Sequence, residues 1–230
     1  MGTLKRRRWS ALAALFIGVG GVPFAALAAT PPAATQNSAL VSQIAQHLAQ
    51  AKGIRAQFTQ TQTLSAMKQP LVSTGSLLFF RERGVIWRID TPYKATYVID
   101  DAGVREVNGD GQRAMTSRTQ GMNGTSGTSG ARGVAQVSRM MRAMLGGDLS
   151  ALYSQFDVDA QGTPAQWRMQ LTPSQPQLAQ SIKSLRMSGA DYLQTLRITL
   201  ANGDVTQIDF ANSAAVDELA PADRALFGAP

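Results

Sequence analysis

The chain has 230 residues, one histidine, no cysteine and a formal net charge of +7. The absence of cysteine excludes disulfides, thiol chemistry and a lipid attached to an N-terminal cysteine. Four of the 22 basic residues and none of the 15 acidic ones fall in residues 1–28, so the rest of the chain has a net charge of only +3. That small excess gives no indication of nucleic-acid binding.

The N-terminus has the pattern of a secretory signal peptide. A basic stretch from Lys5 to Arg8 precedes an apolar run that ends in Ala26 and Ala28, the small residues of an A-x-A cleavage site. The run is just long enough for an uncleaved membrane anchor, but its glycines, its proline and the A-x-A end favour cleavage after Ala28. We therefore predict a signal peptide at residues 1–28 and a periplasmic protein, with the Sec and twin-arginine routes both open.

Helical periodicity begins after a polar, proline-containing leader, residues 29–37, which is predicted to be disordered. The first predicted helix is capped by Ser38 and ends at Gly53. Its apolar face comprises Leu40, Val41, Ile44, Ala45, Leu48 and Ala49. Residues 38–230 are predicted to form one domain.

From Ile54 onward, polar and apolar residues alternate with the period of a β-strand. "LVSTGSLLFF" and "GVIWRID" predict two strands joined at "RERG", where Gly84 can adopt the positive φ of a hairpin. "YKATYVID", "VREVN" and "GQRAM" continue the pattern. The sequence therefore predicts an antiparallel meander of about five strands.

A loop and two helices follow the first meander. "RTQGMNGTSGTSGARG" predicts a mobile surface loop, because it lacks the lysine and the strand-to-helix context of a phosphate-binding loop. Asp148 can cap the second helix, whose inner side would carry Leu149, Leu152 and Phe156. The apolar, methionine-rich face of the first comprises Val134, Val137, Met140, Met141, Met144 and Leu145.

A second meander is predicted by "AQWRMQLTP", "IKSLRMSG", "YLQTLRITL" and "VTQIDF", the last two joined by a hairpin at Asn202 and Gly203. The C-terminal residues are predicted to be a short helical or irregular tail. Two antiparallel meanders with only three helices predict a mostly β fold, in which one large, strongly curved sheet carries the helices across its concave face.

The sequence lacks the residue patterns that catalysis or metal binding needs. His47 lies within the predicted helix as a surface or boundary residue, and no G-x-S-x-G sequence is present. A single histidine without cysteine cannot supply the three or four ligands of a zinc site. The carboxylate pairs Asp100–Asp101 and Asp217–Glu218 fall in a turn and in the tail, where adjacent acids are solvated. We predict a protein that is not an enzyme and has no cofactor.

The run Leu77, Leu78, Phe79, Phe80 lacks the alternation of a half-exposed strand, so both faces of this strand must be covered. The cover is either the protein's own core or an apolar cargo. The methionines at positions 140, 141 and 144 are compatible with both, since methionine adapts to varied apolar ligands and also fills cores.

Three segments in order resemble the LolA family, the periplasmic carriers that move lipoproteins from the inner to the outer membrane. "IRAQFTQTQTL" is similar to the family's F-x-Q segment. "PLVSTGSLLFFRERGVIWRIDTPY" resembles its block of glycine, apolar residues, arginine, tryptophan and Pro-Tyr, and "YVIDDAG" resembles its V-x-D-G turn. The resemblance covers residues 38–110 well and the remainder by element order.

This resemblance implies an unclosed antiparallel β-barrel with an α-helical lid over an apolar cavity that receives acyl chains. Arg81 matches the strand-end arginine that tethers the lid when the carrier is empty. The family usually has proline after that arginine, whereas this chain has Glu82 and Arg83, so Arg81 and Arg83 both remain candidate lid latches. The residues implied to line the cavity are Phe58, Leu78, Phe80, Val85, Trp87, Ile89, Tyr97, Met140, Met141, Met144 and Leu145.

The implied partners are an acylated lipoprotein or another lipid, an inner-membrane donor complex and an outer-membrane acceptor. The other lipid could be an acylated pigment or a polyketide-like lipid. The carrier itself is expected to be a monomer that does not bind nucleic acid. The alternative is a non-catalytic envelope protein with a solid core that binds a protein partner.

Overall fold

The computed structural model describes residues 33–100, 103–107, 113–117 and 149–228. The described strands form a single antiparallel sheet that is not closed, so the predicted mostly β, unclosed architecture is confirmed. In chain order the strands are β1 Gly53–Thr63, β2 Leu71–Phe80, β3 Gly84–Thr91, β4 Ala95–Asp100, β5 Gly103–Val107, β6 Arg113–Ser117, β7 Phe156–Thr163, β8 Gln166–Pro173, β9 Ile182–Gly189, β10 Leu193–Leu200 and β11 Val205–Val216.

The two meanders are joined by the pairing of β1, the first strand of the first meander, with β11, the last strand of the second. The order across the sheet is β6-β5-β4-β3-β2-β1-β11-β10-β9-β8-β7, so every neighbouring pair except β1 and β11 is consecutive in the chain. The predicted hairpins form where glycine permits a positive φ, at Gly84 between β2 and β3 and at Gly203 between β10 and β11.

The described helices are short apart from the first. They are α1 Ala33–Leu48, α2 Leu149–Gln155, α3 Pro176–Ala179 and α4 Pro221–Phe227. The apolar face predicted for α1 is confirmed, with Val41, Ile44 and Leu48 buried. Phe156, predicted to lie on the inner side of the helix after Asp148, is instead the first residue of β7, because the helix ends at Gln155.

The first helix begins at Ala33, five residues before the predicted cap at Ser38, so residues 33–37 are helical rather than a disordered leader. Asn37 supplies a tertiary reason for the earlier start. Its side-chain amide donates to the carbonyl oxygen of Val158 at 2.8 Å and accepts from the backbone N–H of Ala160 at 2.7 Å. An edge strand exposes unpaired backbone groups, and this amide pairs two of them on β7.

The sheet folds around one apolar core on its inner face. A single cluster of buried residues contains Phe79 of β2 and Ile99 of β4 together with Phe156 of β7 and Leu171 of β8. Strands from opposite ends of the sheet order can share a core only if the sheet curls, which agrees with the predicted strong curvature. Ile44 of α1 belongs to the same cluster, so α1, the roof helix, packs on this inner face.

A second, smaller core lies on the outer face of the first meander. Leu78, Ile86 and Val98 pack there against Leu219 and Phe227 from the C-terminal segment. The run Leu77–Phe80 is therefore covered on both sides by the protein itself: one side by the inner core, the other by α4 and the residues before it.

Several predicted features lie outside the described residues: the signal peptide, the glycine-rich loop and the methionine-rich helix. Within the part of the chain that the structure describes, no helix is both long and apolar enough to span a membrane. The same part contains no group of three or more His, Asp or Glu residues placed to hold a metal ion.

Candidate functional site

The inner face holds five of the residues predicted to line a cavity. Phe58, Val85 and Trp87 are buried in the inner core, and Ile89 and Tyr97 are partly buried against it. Met140, Met141, Met144 and Leu145 lie outside the described residues.

The placement of Leu78 and Phe80 in the cavity is wrong. Antiparallel partners share a face, and Val85 pairs with Phe79 while Trp87 pairs with Leu77. Leu77 and Phe79 therefore point inward, and Leu78 and Phe80 pack in the outer core. The prediction chose the wrong alternate residues of this strand, because an unbroken apolar run has no polar residues to show which side chains face inward.

Aromatic rings fill the centre of the inner face. The rings of Phe58 and Trp87 have centroids 4.1 Å apart and planes inclined by 31°, and Phe210 meets Trp87 edge-on at 6.5 Å. Gly75, paired with Phe58, leaves the space that this packing needs. A side chain at Gly75 would collide with the backbone oxygen of Arg88 and lie 2.9 Å from the Phe58 ring.

A small apolar cavity lies beside this aromatic centre. Its volume is about 30 Å³, enough for only one or two water molecules, so this cavity does not hold an acyl chain without movement of the surrounding side chains. The residues around it are Leu48, Ile54, Ala56, Leu77, Trp167, Met187, Tyr192, Leu193, Phe210 and Ser213. The C-terminal end of the roof helix and the start of β10 therefore form two of its walls.

Arg81 fastens the end of the roof helix to the first hairpin. Its Nη2 group donates to the carbonyl oxygen of Ala49 and, at 3.0 Å, to that of Ala51. Its backbone N–H donates to the carbonyl oxygen of Lys52 at 2.9 Å. The carbonyls at a helix C-terminus lack helical partners and carry partial negative charge, so a cation is favourable there.

Arg83, the other candidate latch, does not make such contacts. Its backbone N–H donates to Phe80 at 3.0 Å within the turn, and its side chain forms no hydrogen bond or ion pair with the described residues. The geometry that a latch requires is therefore present at Arg81 alone of these two candidates.

A second polar contact holds the opposite side of the same helix end. His47 Nε2 lies 3.2 Å from Asp191 Oδ1 in the turn between β9 and β10. The next two residues, Tyr192 and Leu193, line the cavity. His47 is one-third exposed, in agreement with its predicted surface or boundary position. The cavity thus lies beneath the junction at which Arg81 and Asp191 hold the C-terminal end of the roof helix. We call this junction the seam.

The inner face is almost free of charge. Among the described residues the buried polar side chains are Gln60 and Asp223, and Asp223 belongs to the outer face. Burial raises the pKa of the Tyr97 hydroxyl above its ordinary value of 10.0, and the nearby Glu106 and Tyr93 raise it further. The site offers an apolar surface with few hydrogen-bonding groups, which suits hydrocarbon rather than a polar substrate.

The sequence prediction missed the cavity walls that come from the second meander. Trp167 and Met187 have polar neighbours on both sides in β8 and β9, and Phe210 lies two residues after the apolar Ile208 in β11, with Asp209 between them. This alternation marks them as inward-facing. The missing information was which strand lies opposite which, since β1 pairs with β11 across most of the chain length.

Comparison with known proteins decides the family. The family model described as "Outer membrane lipoprotein carrier protein LolA-like" matches residues 33–226. The chain belongs to the LolA-like family. A search of curated proteins found no matching relative.

Three similar solved structures share little sequence with this chain. A LolA superfamily protein from Nitrosomonas europaea has 8% identity and a TM-score of 0.41, with 80% of this chain and 94% of that chain covered. MucB of Pseudomonas aeruginosa, in its complex with MucA, has 12% identity, a TM-score of 0.45 and coverages of 83% and 60%. The lipoprotein LppX of Mycobacterium tuberculosis has 10% identity, a TM-score of 0.37 and coverages of 80% and 98%.

Proposed function

We propose that this LolA-like protein is a periplasmic, non-catalytic carrier that shields the acyl chains of lipoproteins, or of a related lipid, and delivers them towards the outer membrane. The observation that carries the proposal is the seam at the C-terminal end of the roof helix. There an apolar cavity lies beneath a helix end that a few polar contacts hold in place.

The physical demand on such a carrier is large. The transfer of each methylene group from water to an apolar environment is favourable by about 0.8 kcal/mol. A lipid with several acyl chains therefore needs a continuous apolar enclosure. The inner core supplies that surface with Trp87, Phe210 and Met187 among its members. The apolar cavity at the end of the roof helix holds only about 30 Å³, so loading there requires the roof helix to move. A wider opening of about 460 Å³ beside Phe58 and Phe210 has polar walls that include Asp90 and Asp209, which suit an acyl chain less well.

Arg81 is the proposed latch of the empty carrier. Its bonds to Ala49 and Ala51 stabilise the closed form and therefore oppose loading, which keeps the affinity for cargo moderate. A moderate affinity allows an acceptor to take the cargo without an energy source in the periplasm. Under this proposal Arg83 has no part in the latch.

The cellular setting of the proposal follows from the sequence. A signal peptide at residues 1–28 would direct export, and residues beyond it would work as a monomer between an inner-membrane donor complex and an outer-membrane acceptor. His47 contacts Asp191 near the surface and is proposed to stabilise the fold rather than to take part in catalysis. The proposed carrier binds neither nucleic acid nor a cofactor.

A second candidate function is favoured by the same small cavity. A core that stays closed would suit an envelope protein that binds a protein partner on its surface and carries no lipid. Native mass spectrometry of the protein purified from its own periplasm separates the two. We expect an added mass that organic solvent extracts as lipid or acylated peptide. A bare chain, or a chain in stoichiometric complex with another protein and free of lipid, would contradict the carrier proposal.

A further inference from the structure

The inner core contains a buried hydrogen-bond donor without a partner. Trp87 is 1% exposed, and its indole Nε1–H has no acceptor among the residues that the structure describes. Buried polar groups are normally paired, and leaving one unpaired destabilises the protein. Trp167, which is equally buried, donates its indole N–H to the carbonyl oxygen of Ala190 at 3.0 Å.

The neighbours of Trp87 cannot supply the missing acceptor. Phe58 lies against the indole with ring centroids 4.1 Å apart, Phe210 meets it at 6.5 Å, and Leu77 is its partner on β2. Aromatic faces accept hydrogen bonds only weakly. The donor therefore remains unsatisfied as long as the core stays in its closed arrangement.

Trp87 is not itself a wall of the apolar cavity, but two of its neighbours are. Leu77 and Phe210, the strand partner and the ring neighbour of Trp87, both line it. A cavity that widens as cargo enters between the roof helix and the sheet reaches the indole once either side chain shifts. A water molecule is a poor partner there, because a buried water needs two or more polar groups and the named walls are almost entirely apolar.

The depth of Trp87 decides which part of a lipid it can meet. The polar head group of a bound lipid stays in water at the rim of an apolar site, whereas the tail fills the interior. A donor that is 1% exposed at the centre of the inner core therefore meets the tail. A plain hydrocarbon tail leaves the indole N–H unpaired in the loaded state, while a tail with an oxygen atom at that depth pairs with it.

We propose that Trp87 determines cargo specificity by donating a hydrogen bond from Nε1 to an oxygen acceptor within the lipid tail. The hydroxyl, keto or ether oxygen of a modified acyl chain or a polyketide-like chain provides such an acceptor. This inference rests on the proposed carrier function and adds the chemical class of the cargo. One neutral hydrogen bond that replaces an unpaired donor corresponds to a preference of about tenfold over a plain chain of equal length.

The test compares stearic acid with a positional series of hydroxystearic acids, using isothermal titration calorimetry on the wild-type protein, on Trp87→Phe and on Ile86→Val. We expect at least one positional isomer to bind the wild type about tenfold more tightly than stearic acid. Trp87→Phe removes the unpaired donor and should abolish that preference. Ile86→Val changes a fully buried side chain of the same strand that packs in the outer core, on the opposite face from the cavity, so it should keep the preference.

A measurement on the wild-type protein covers the case in which Trp87→Phe does not fold. The indole N–H resonance of Trp87 should move downfield in ¹⁵N NMR spectra when the preferred hydroxystearic acid binds, and less so with stearic acid. Equal affinities across the series, or an indole resonance that responds equally to both ligands, would overturn the role of Trp87 while leaving the carrier function intact. A protein that binds neither stearic acid nor any isomer would overturn both proposals.

Discussion

Arg81 joins the first hairpin to the end of the roof helix through its side chain and its backbone. The guanidinium donates to Ala49 and Ala51, and hydrogen bonds from a charged donor contribute about 1.5–3 kcal/mol each. Arg81 is only partly buried, so solvent reduces that contribution. Under the carrier proposal, the closed form gains this stabilisation and the loaded form loses it.

The variant Arg81→Leu is therefore expected to retain cargo. Without the latch the loaded form is favoured, and release of a fluorescent fatty acid to vesicles of phosphatidylethanolamine and phosphatidylglycerol should slow by about tenfold or more. Stopped-flow fluorescence measures the transfer rate. Arg83→Leu is the matched control and should release at the wild-type rate. Equal rates for Arg81→Leu and the wild type would remove Arg81 from the release step.

Asp204 fastens the segment after β1 to the turn between β10 and β11. It accepts from the backbone N–H and the hydroxyl of Ser65 at 2.7 and 2.9 Å and from Asn202 at 2.8 Å. These hydrogen bonds, the Ser65 backbone bond first among them, hold the pKa of Asp204 below its ordinary value of 3.8. Its stabilising contribution is therefore present above 3.8 and is lost as the pH falls through the lower pKa of the folded state.

Asp204→Asn should be less stable than the wild type at neutral pH, and the difference should shrink in acid. Urea unfolding at a series of pH values, from neutral to well below 3.8, measures the free energy of unfolding. Asp157→Asn changes an exposed carboxylate on β7 and should keep the wild-type dependence on pH. A stability difference for Asp204→Asn that is the same at every pH would show that the carboxylate charge is irrelevant there.

At the scale of the elements, the C-terminal helix α4 acts as a cover for the outer face. Asp223, 7% exposed, accepts from Arg88 at 2.7 Å and from Arg55 at 3.3 Å. Arg105 reaches from β5 to the carbonyl oxygen of Leu226. Three arginines on alternate strands thus hold α4 over the outer core formed by Leu78 and its neighbours.

Removal of the central carboxylate should loosen this cover. Asp223→Ala leaves Arg88 partly buried without its partner. Because Arg55 and Arg88 are both partly exposed to solvent, we expect a loss of about 1–2 kcal/mol in the free energy of unfolding. That loss lowers the melting temperature by about 3–6 °C. Thermal unfolding followed by circular dichroism measures it, with the exposed Asp217→Ala as control. A melting temperature that matches the control would mean that the outer core alone holds α4.

Elements with a strong local pattern were predictable from the sequence, and elements defined by distant contacts were not. The apolar stripe of α1 and the glycine turns at Gly84 and Gly203 depend on neighbouring residues and are confirmed. Strand β7 contains two aspartates and a glycine, which weaken its β pattern, and it is stabilised by pairing with β8. The start of α1 depends on the contact of Asn37 with β7, some 120 residues away.

At the scale of the whole molecule, one long-range pairing determines the site. β1 and β11 pair in antiparallel register, with Phe58 opposite Phe210, and this joins the two meanders into a single curled sheet. The sequence pattern and the family resemblance predicted the sheet, its open form and half of the inner face. The opposite walls, including Trp167, and the correct face of β2 depend on the pairing of distant strands, which periodicity within one strand does not contain.

Under the carrier proposal, the closed inner face opens at the end of the roof helix to admit an acyl chain. Because the chain has no cysteine, a cysteine pair at His47 and Asp191 can be joined specifically by a short bis-maleimide linker across the seam. The control joins cysteines at Arg197 and Gln207, an exposed hydrogen-bonded pair within β10 and β11.

Titration of both cross-linked proteins with a fluorescent fatty acid is the most direct test. We expect the protein locked across the seam to lose most of its uptake, and the protein joined within the sheet to bind as well as its uncross-linked form. Full uptake by the protein locked between positions 47 and 191 would contradict this expectation, since the cargo would then enter without movement of the roof helix.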